Sequence, residues 1–208
     1  MDMLTIFCVL NANRLIYNER RIIMNSKEVL NTRDLTKIAV CVAIITICAL
    51  ISFPLPFTPA MITAQTMAIN LAALILKPKQ AFITVLVYIL IGAVGVPVFS
   101  SGACGLEKLT GPTGGFILGF LIMAPVISYL KGKGNDVRRY LAVTIIIGMP
   151  LLYAFGTAQM CLVLNIGVYK ALSMAVIPFI FGDVLKCIAA SLLGNRLNKI
   201  SFIRQTAV

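Results

Sequence analysis

Residues 178–197 read PFIFGDVLKCIAASLLGNRL, an apolar stretch whose only charges before Arg196 are Asp183 and Lys186. A run of about 20 mainly apolar residues is long enough to cross a hydrocarbon core of about 30 Å as an α-helix. An ionised side chain inside such a span costs a few kcal/mol or more even on lenient insertion scales, and it persists where it has a partner, a cavity or a task. Asp and Lys three positions apart share one helix face and can be partners. A purely structural ion pair is the alternative, but a buried Asp–Lys pair often fails to repay its own desolvation. Asp183 and Lys186 are therefore read first as ligand-binding candidates.

Outward from this stretch, apolar segments recur at residues 35–55, 61–76, 81–99, 116–130 and 141–164. With 60% apolar residues, 12% charged residues and a mean hydropathy of +0.98, the chain lies outside the range of ordinary soluble domains. The expected fold is an all-α integral membrane protein with six transmembrane helices, the second and fourth rather short. A strand barrel is excluded because the apolar runs are continuous rather than alternating.

Orientation follows from the basic residues. Of 18 Lys and Arg, 15 fall in one set of ends and loops: the N-terminal segment through Lys37, Lys77 and Lys79, residues 131–139, and the C-terminus. The alternate loops hold only Lys108 and Lys170, and Lys186 completes the count. Both termini are therefore expected on the cytoplasmic side of a multi-pass protein of the cell membrane. The net charge of +11 follows from this asymmetry and from affinity for anionic lipid, and gives no support to nucleic-acid binding. The expected organisation is a cytoplasmic segment 1–34, a membrane domain 35–198 and a cytoplasmic tail 199–208. Residues 4–10 form a short apolar run behind Asp2, too short for a span and poor as a secretory signal. Because Met24 opens the polar stretch before the first span, residues 1–23 are read as an over-long start in preference to an interfacial arm.

The six cysteines show no paired spacing and the chain has no His, which argues against a metal site or a Cys/His nucleophile. No catalytic residue is assigned, and no glycine-rich segment carries the Lys-Ser/Thr pair of a phosphate loop.

Unusual chemistry gathers on the expected outer side. Ser52-Phe53-Pro54-Leu55-Pro56-Phe57-Thr58-Pro59 is a stiff apolar corner that excludes regular helix. Gln65, at the head of the second span, can offer donors and an acceptor to a neutral polar ligand or to a neighbouring helix. The loop 100–115 carries Gly102, Gly105, Gly111, Gly114 and Gly115, which suit backbone approach to a ligand, a flexible lid, or close helix packing at the four-residue spacing of Gly111, Gly115 and Gly119. Counting about 1.5 Å per residue up from Arg196 puts Asp183 roughly 20 Å and Lys186 roughly 15 Å from the cytoplasmic end. The pair is therefore expected between the midplane and the outer surface, lining an outward cavity.

The elements Pro54-Leu55-Pro56, Ile62-Thr63-Ala64-Gln65-Thr66, Gly95-Val96-Pro97-Val98-Phe99, Gly111-Pro112-Thr113-Gly114-Gly115 and Gly182-Asp183-Val184-Leu185-Lys186 occur in that order. Together they resemble the BioY family, the biotin-specific substrate-capture subunits of energy-coupling factor transporters, over residues 35–198. The resemblance implies a six-helix subunit that binds biotin from outside and works with a transmembrane coupling subunit and two ATPase subunits. ATP and Mg would be used by those partners, and no cofactor belongs to this chain. It also implies that Asp183 and Lys186 match substrate-binding positions, and that Ala39 and Ala43 form the small-residue face presented to the coupling subunit. Tyr88, Phe99, Phe116 and the 54–57 corner are candidate apolar walls, and Ser101 and Gln65 complete the candidate binding set. Phe116 stands where relatives often carry Tyr, so a hydroxyl contact there is absent. Gln80 replaces a common Gly after the cytoplasmic turn, with no expected effect on the pocket.

A fused ureido ring offers two N–H donors and a carbonyl acceptor that a carboxylate and Lys or amide donors can satisfy, and a valerate carboxylate calls for a cation or loop N–H groups. Which end Lys186 meets stays open at this level. Alternatives are a capture subunit for another vitamin, a stand-alone facilitator or proton-coupled carrier in which Asp183 titrates, and, with least support, a membrane-embedded enzyme.

Overall fold

The structure, a computed structural model, describes residues 31–206 apart from 57, 133 and 135. The expectation for residues 1–23 lies outside the described residues, as does Phe57. The packing given below is that of the unit from Thr36 onward.

Helix α1 (Thr32–Leu50) buries Ile38, Val42, Ile45 and Ala49, a stripe at helical spacing, and leaves Ala39 and Ala43 exposed. An antiparallel pair then forms, β1 (Ser52–Pro54) with β2 (Met61–Thr63), Ser52 lying opposite Thr63 and Pro54 opposite Met61. The helical spans expected at 35–55 and 61–76 therefore lose their facing ends to a hairpin. Prolines 54, 56 and 59 cannot donate within a helix, and the chain satisfies its backbone by pairing across the turn instead.

Helix α2 (Gln65–Ile75) follows with 11 residues. Helix α3 (Pro78–Ala93) starts on its proline, and Gln80 Oε1 accepts from the Lys77 amide at 3.1 Å. Gln80 thus has a local task at the helix start. The helix ends at Ala93 rather than near Phe99, because Gly95 adopts φ 112° and Pro97 follows. The glycine-rich loop contains a short helix, α4 (Leu106–Thr110). Helices α5 (Gly114–Leu130) and α6 (Val137–Leu164) come next, the latter capped by Asp136, whose Oδ1 accepts from the Arg138 amide at 2.9 Å. Inside α6, residues Val143–Gly148 form a π-helical turn just ahead of Pro150. A proline cannot donate to the carbonyl one turn back and its ring crowds it, and a widened turn relieves both problems. Helices α7 (Val168–Ala175) and α8 (Ile180–Thr206) are bent by 54° across the break that contains Pro178.

Helix α5 packs against α2, α3 and α6, and α2 packs against α8. The main core includes Ile69, Leu74, Val85, Met123 and Ile127. A smaller cluster of Ala60, Met160, Ala171, Ala175 and Phe179 joins the hairpin to α6, α7 and the start of α8. At the far end of α2, Lys131 Nζ donates to the carbonyls of Ala73, Leu74 and Leu76 at 3.1, 2.8 and 2.5 Å. Asn198 Nδ2 donates to Leu74 O at 2.9 Å and to the Tyr140 hydroxyl at 3.0 Å. These groups satisfy the orphan carbonyls at a helix C-terminus, where a cation is the favourable partner.

The exterior is apolar: Ile146 is 70% exposed, Leu162 78% and Phe181 84%. An uncovered surface of this kind suits lipid rather than water. By length and composition, among the described residues, Val137–Leu164 can cross a bilayer, and so can the bent pair Val168–Ala175 with Ile180–Ile200 taken together. Gln65–Ile75, Pro78–Ala93 and Gly114–Leu130 are apolar but shorter.

Candidate ligand-binding site

Asp183 enters α8 in its first turn, its amide donating to Phe179 O at 2.8 Å, so its carboxylate sits at the favourable positive end of the helix dipole. Lys186 Nζ lies 2.8 Å from Asp183 Oδ1, and the hydroxyl of Tyr153, on α6, donates to Asp183 Oδ2 at 2.7 Å. Both carboxylate oxygens are therefore held. The two charged side chains are 7% and 17% exposed, which makes this a desolvated pair.

The pair faces a cavity with about 640 Å³ of empty space, open solvent included. Its polar wall includes Gln65, Thr66, Lys108, Tyr153, Asp183 and Lys186, and Phe116, Phe120, Leu152 and Phe179 contribute apolar surface. Four of the residues singled out from the sequence, Asp183, Lys186, Gln65 and Phe116, thus meet around one space.

Tyr88, Phe99 and Ser101 do not line it. Tyr88 and Phe99 are fully buried, packed edge to face with ring centroids 5.6 Å apart. Tyr88 acts one step back: Gln65 Nε2 donates to its hydroxyl at 3.0 Å, and that hydroxyl donates to Val98 O at 3.0 Å. Phe99 holds this arrangement from behind, at Gly92, where any Cβ would collide with its ring. Ser101 is exposed and ties the hairpin to the glycine-rich loop, its hydroxyl 2.8 Å from that of Ser52 and its amide donating to Ser52 Oγ at 3.0 Å. Apolar character pointed to these aromatics, but it does not say which helix face turns toward the cavity and which toward the core.

Among the wall residues outside the set expected from the sequence, Tyr153 and Lys108 each left a trace in the sequence. Tyr153 is a hydroxyl in the middle of an apolar span, where a polar group needs a partner. Lys108 is one of two basic residues in loops otherwise without them. It rises from α4, and burial holds its ammonium below the ordinary lysine range.

The glycine loop is fixed by packing. A Cβ on Gly114 would run into the Leu109 carbonyl, and one on Gly115 into the Phe155 carbonyl. Gln159, on α6, donates through Nε2 to Leu109 O at 2.7 Å and to Gly111 O at 2.8 Å, so the loop is latched to the bundle. Among the described residues no group of three or more His, Cys, Asp or Glu is placed to hold a metal ion.

Compared with models of known families, residues 24–202 match the BioY family. The chain belongs to the BioY family. It is 37% identical over 175 residues to the biotin transporter BioY of Thermotoga maritima, covering 83% of this chain and 99% of that one. It is 38% identical over 178 residues to the biotin transporter BioY of Rhizobium etli, covering 80% and 93%. Among solved structures it resembles the S-component for biotin from an ECF-type ABC transporter, with a TM-score of 0.76 and 28% identity over 80% of this chain and 91% of that one. Membership of this transporter family makes the chain a membrane protein.

Proposed function

We propose that the chain is the biotin-capturing subunit of an energy-coupling factor transporter. The observation that carries this reading is the convergence of Asp183, Lys186, Tyr153 and Gln65 on one half-closed cavity in a chain of this family. The Asp183 carboxylate accepts from the ureido N–H groups, and Lys186 with Gln65 donates to the ureido carbonyl. Phe116 and Phe179 cover the thiophane ring and tail methylenes. Lys186 is already engaged by Asp183, whereas Lys108 is in no ion pair among the described residues. Lys108 is accordingly the cation assigned to the valerate carboxylate.

On this reading six helical spans cross the cell membrane with both termini in the cytoplasm, which puts the cavity on the outer side. The apolar exterior and the distribution of Lys and Arg support it. The chain has no ATPase of its own. A coupling subunit and two ATPase subunits that use ATP and Mg supply the energy, and the exposed Ala39 and Ala43 form part of the surface they engage.

Titration of the purified protein with biotin tests the central assignment. Saturating biotin is expected to raise the melting temperature, and no other vitamin in a panel should do so. An unchanged melting temperature with biotin would overturn it. Ala39→Leu or Ala43→Leu is expected to impair co-purification with the coupling subunit and leave biotin binding within about twofold. Equal loss of binding would instead make α1 part of the pocket.

A further inference from the structure

Outside the cavity lies a second, open space of about 770 Å³, lined in part by Cys104, Glu107, Lys108 and Thr113. Pro59, Lys108 and Thr113 belong to both walls. The two spaces are therefore adjacent, and Lys108 stands at their junction. The outer one also carries an acid: Glu107 is exposed beside Lys108 and, like it, is in no ion pair among the described residues. A site meant to end at a free carboxylate needs only a cation and a closed wall there. This one has a cation, an open extension and an anion beyond it.

Resting on the biotin reading above, we infer that the site also takes biotin amides, in which the valerate carbonyl is joined to the side-chain amine of a lysine whose far end reaches the outer space, with Glu107 receiving the α-ammonium there. An amide keeps the carbonyl oxygen that Lys108 can donate to, so the junction contact survives the loss of the carboxylate charge. A lysyl arm is roughly 7 Å long when extended, from C–C and C–N bonds near 1.5 Å, and the outer space gives it room without displacing the ring end of the ligand. Because Glu107 is exposed, its contribution is that of a surface ion pair, a few-fold in affinity at most.

Calorimetric titration of the purified full chain with biotin, ε-N-biotinyl-lysine and biotin methylamide tests this. Biotinyl-lysine is expected to bind within about tenfold of biotin and more tightly than the methylamide, which lacks the ammonium. In Glu107→Gln the biotin affinity stays unchanged, reporting an intact fold, while biotinyl-lysine weakens about threefold and loses its advantage over the methylamide. Binding of biotinyl-lysine more than tenfold weaker than biotin would overturn the inference. So would an affinity indifferent to Glu107→Gln. Failure of biotin itself to bind the wild-type chain would instead sink the biotin reading on which this rests.

Discussion

Lys186→Met should cost both ligand affinity and stability, and Asp183→Asn should cost mainly affinity. The asymmetry follows from the geometry. Asp183 has two anchors, Lys186 at 2.8 Å and Tyr153 at 2.7 Å, and is nearly inaccessible. Taking away the ammonium leaves a buried carboxylate with one neutral donor, and stranding a buried charge typically costs about 3–5 kcal/mol. Asn at 183 keeps a side-chain acceptor for Tyr153 and removes the charge, while Lys186, the more exposed partner, can turn toward water. Each variant should weaken biotin binding at least tenfold, about 1.4 kcal/mol, because each removes a charge-assisted partner of the ureido group. Calorimetry in detergent gives the affinities and thermal melting the stabilities. The double variant Asp183→Asn/Lys186→Met should recover most of the stability lost in Lys186→Met and none of the affinity. Variants that melt early yet bind biotin as tightly as wild type would mark the pair as structural only.

Gly115→Val should prevent the bundle from assembling. On α5, Gly115 faces the Phe155 carbonyl of α6 with no room for a Cβ, which would also lie only 2.7 Å from Gln159 Cβ. One turn on, a Cβ added to Gly119 would lie 3.2 Å from Phe155 Cβ. Overpacking a well-filled interior costs about 1–3 kcal/mol when side chains can yield. Here the obstacle is helix backbone, so α5 and α6 must separate, and they carry Phe116 and Tyr153 on the cavity wall. The measurable outcome is loss of monodisperse protein on extraction. Gly119→Ala, whose neighbour is a side chain, should extract normally and melt a few degrees lower. Wild-type behaviour of Gly115→Val would show that the two helices do not approach this closely.

The helices were legible wherever apolar runs are continuous, because lipid leaves a chain few other ways to satisfy its backbone. Their ends were not, where proline and glycine decide them. Pro54 and Met61 face each other in a hairpin of three-residue strands, too short for any alternation to register. The charged pair stood out because its placement is expensive. Tyr153 did not, because a tyrosine inside a span reads as one more aromatic until its hydroxyl is seen on Asp183. Tyr88 shows the opposite error: its ring is core, and only its hydroxyl reaches the site, through Gln65. Lys108 was visible as an exception to the charge asymmetry, but its place on the cavity wall depends on how the glycine-rich loop folds back.

The shortness of α2 has a consequence for the interior of the bundle. Eleven residues rise about 16 Å, roughly half of a 30 Å hydrocarbon core, and the first two of them, Gln65 and Thr66, line the cavity. The binding space is in effect the volume that a full-length helix would have filled. None of the residues of α2 is exposed, so the helix is enclosed by its neighbours and the space left by its shortness opens inside the bundle rather than toward the lipid.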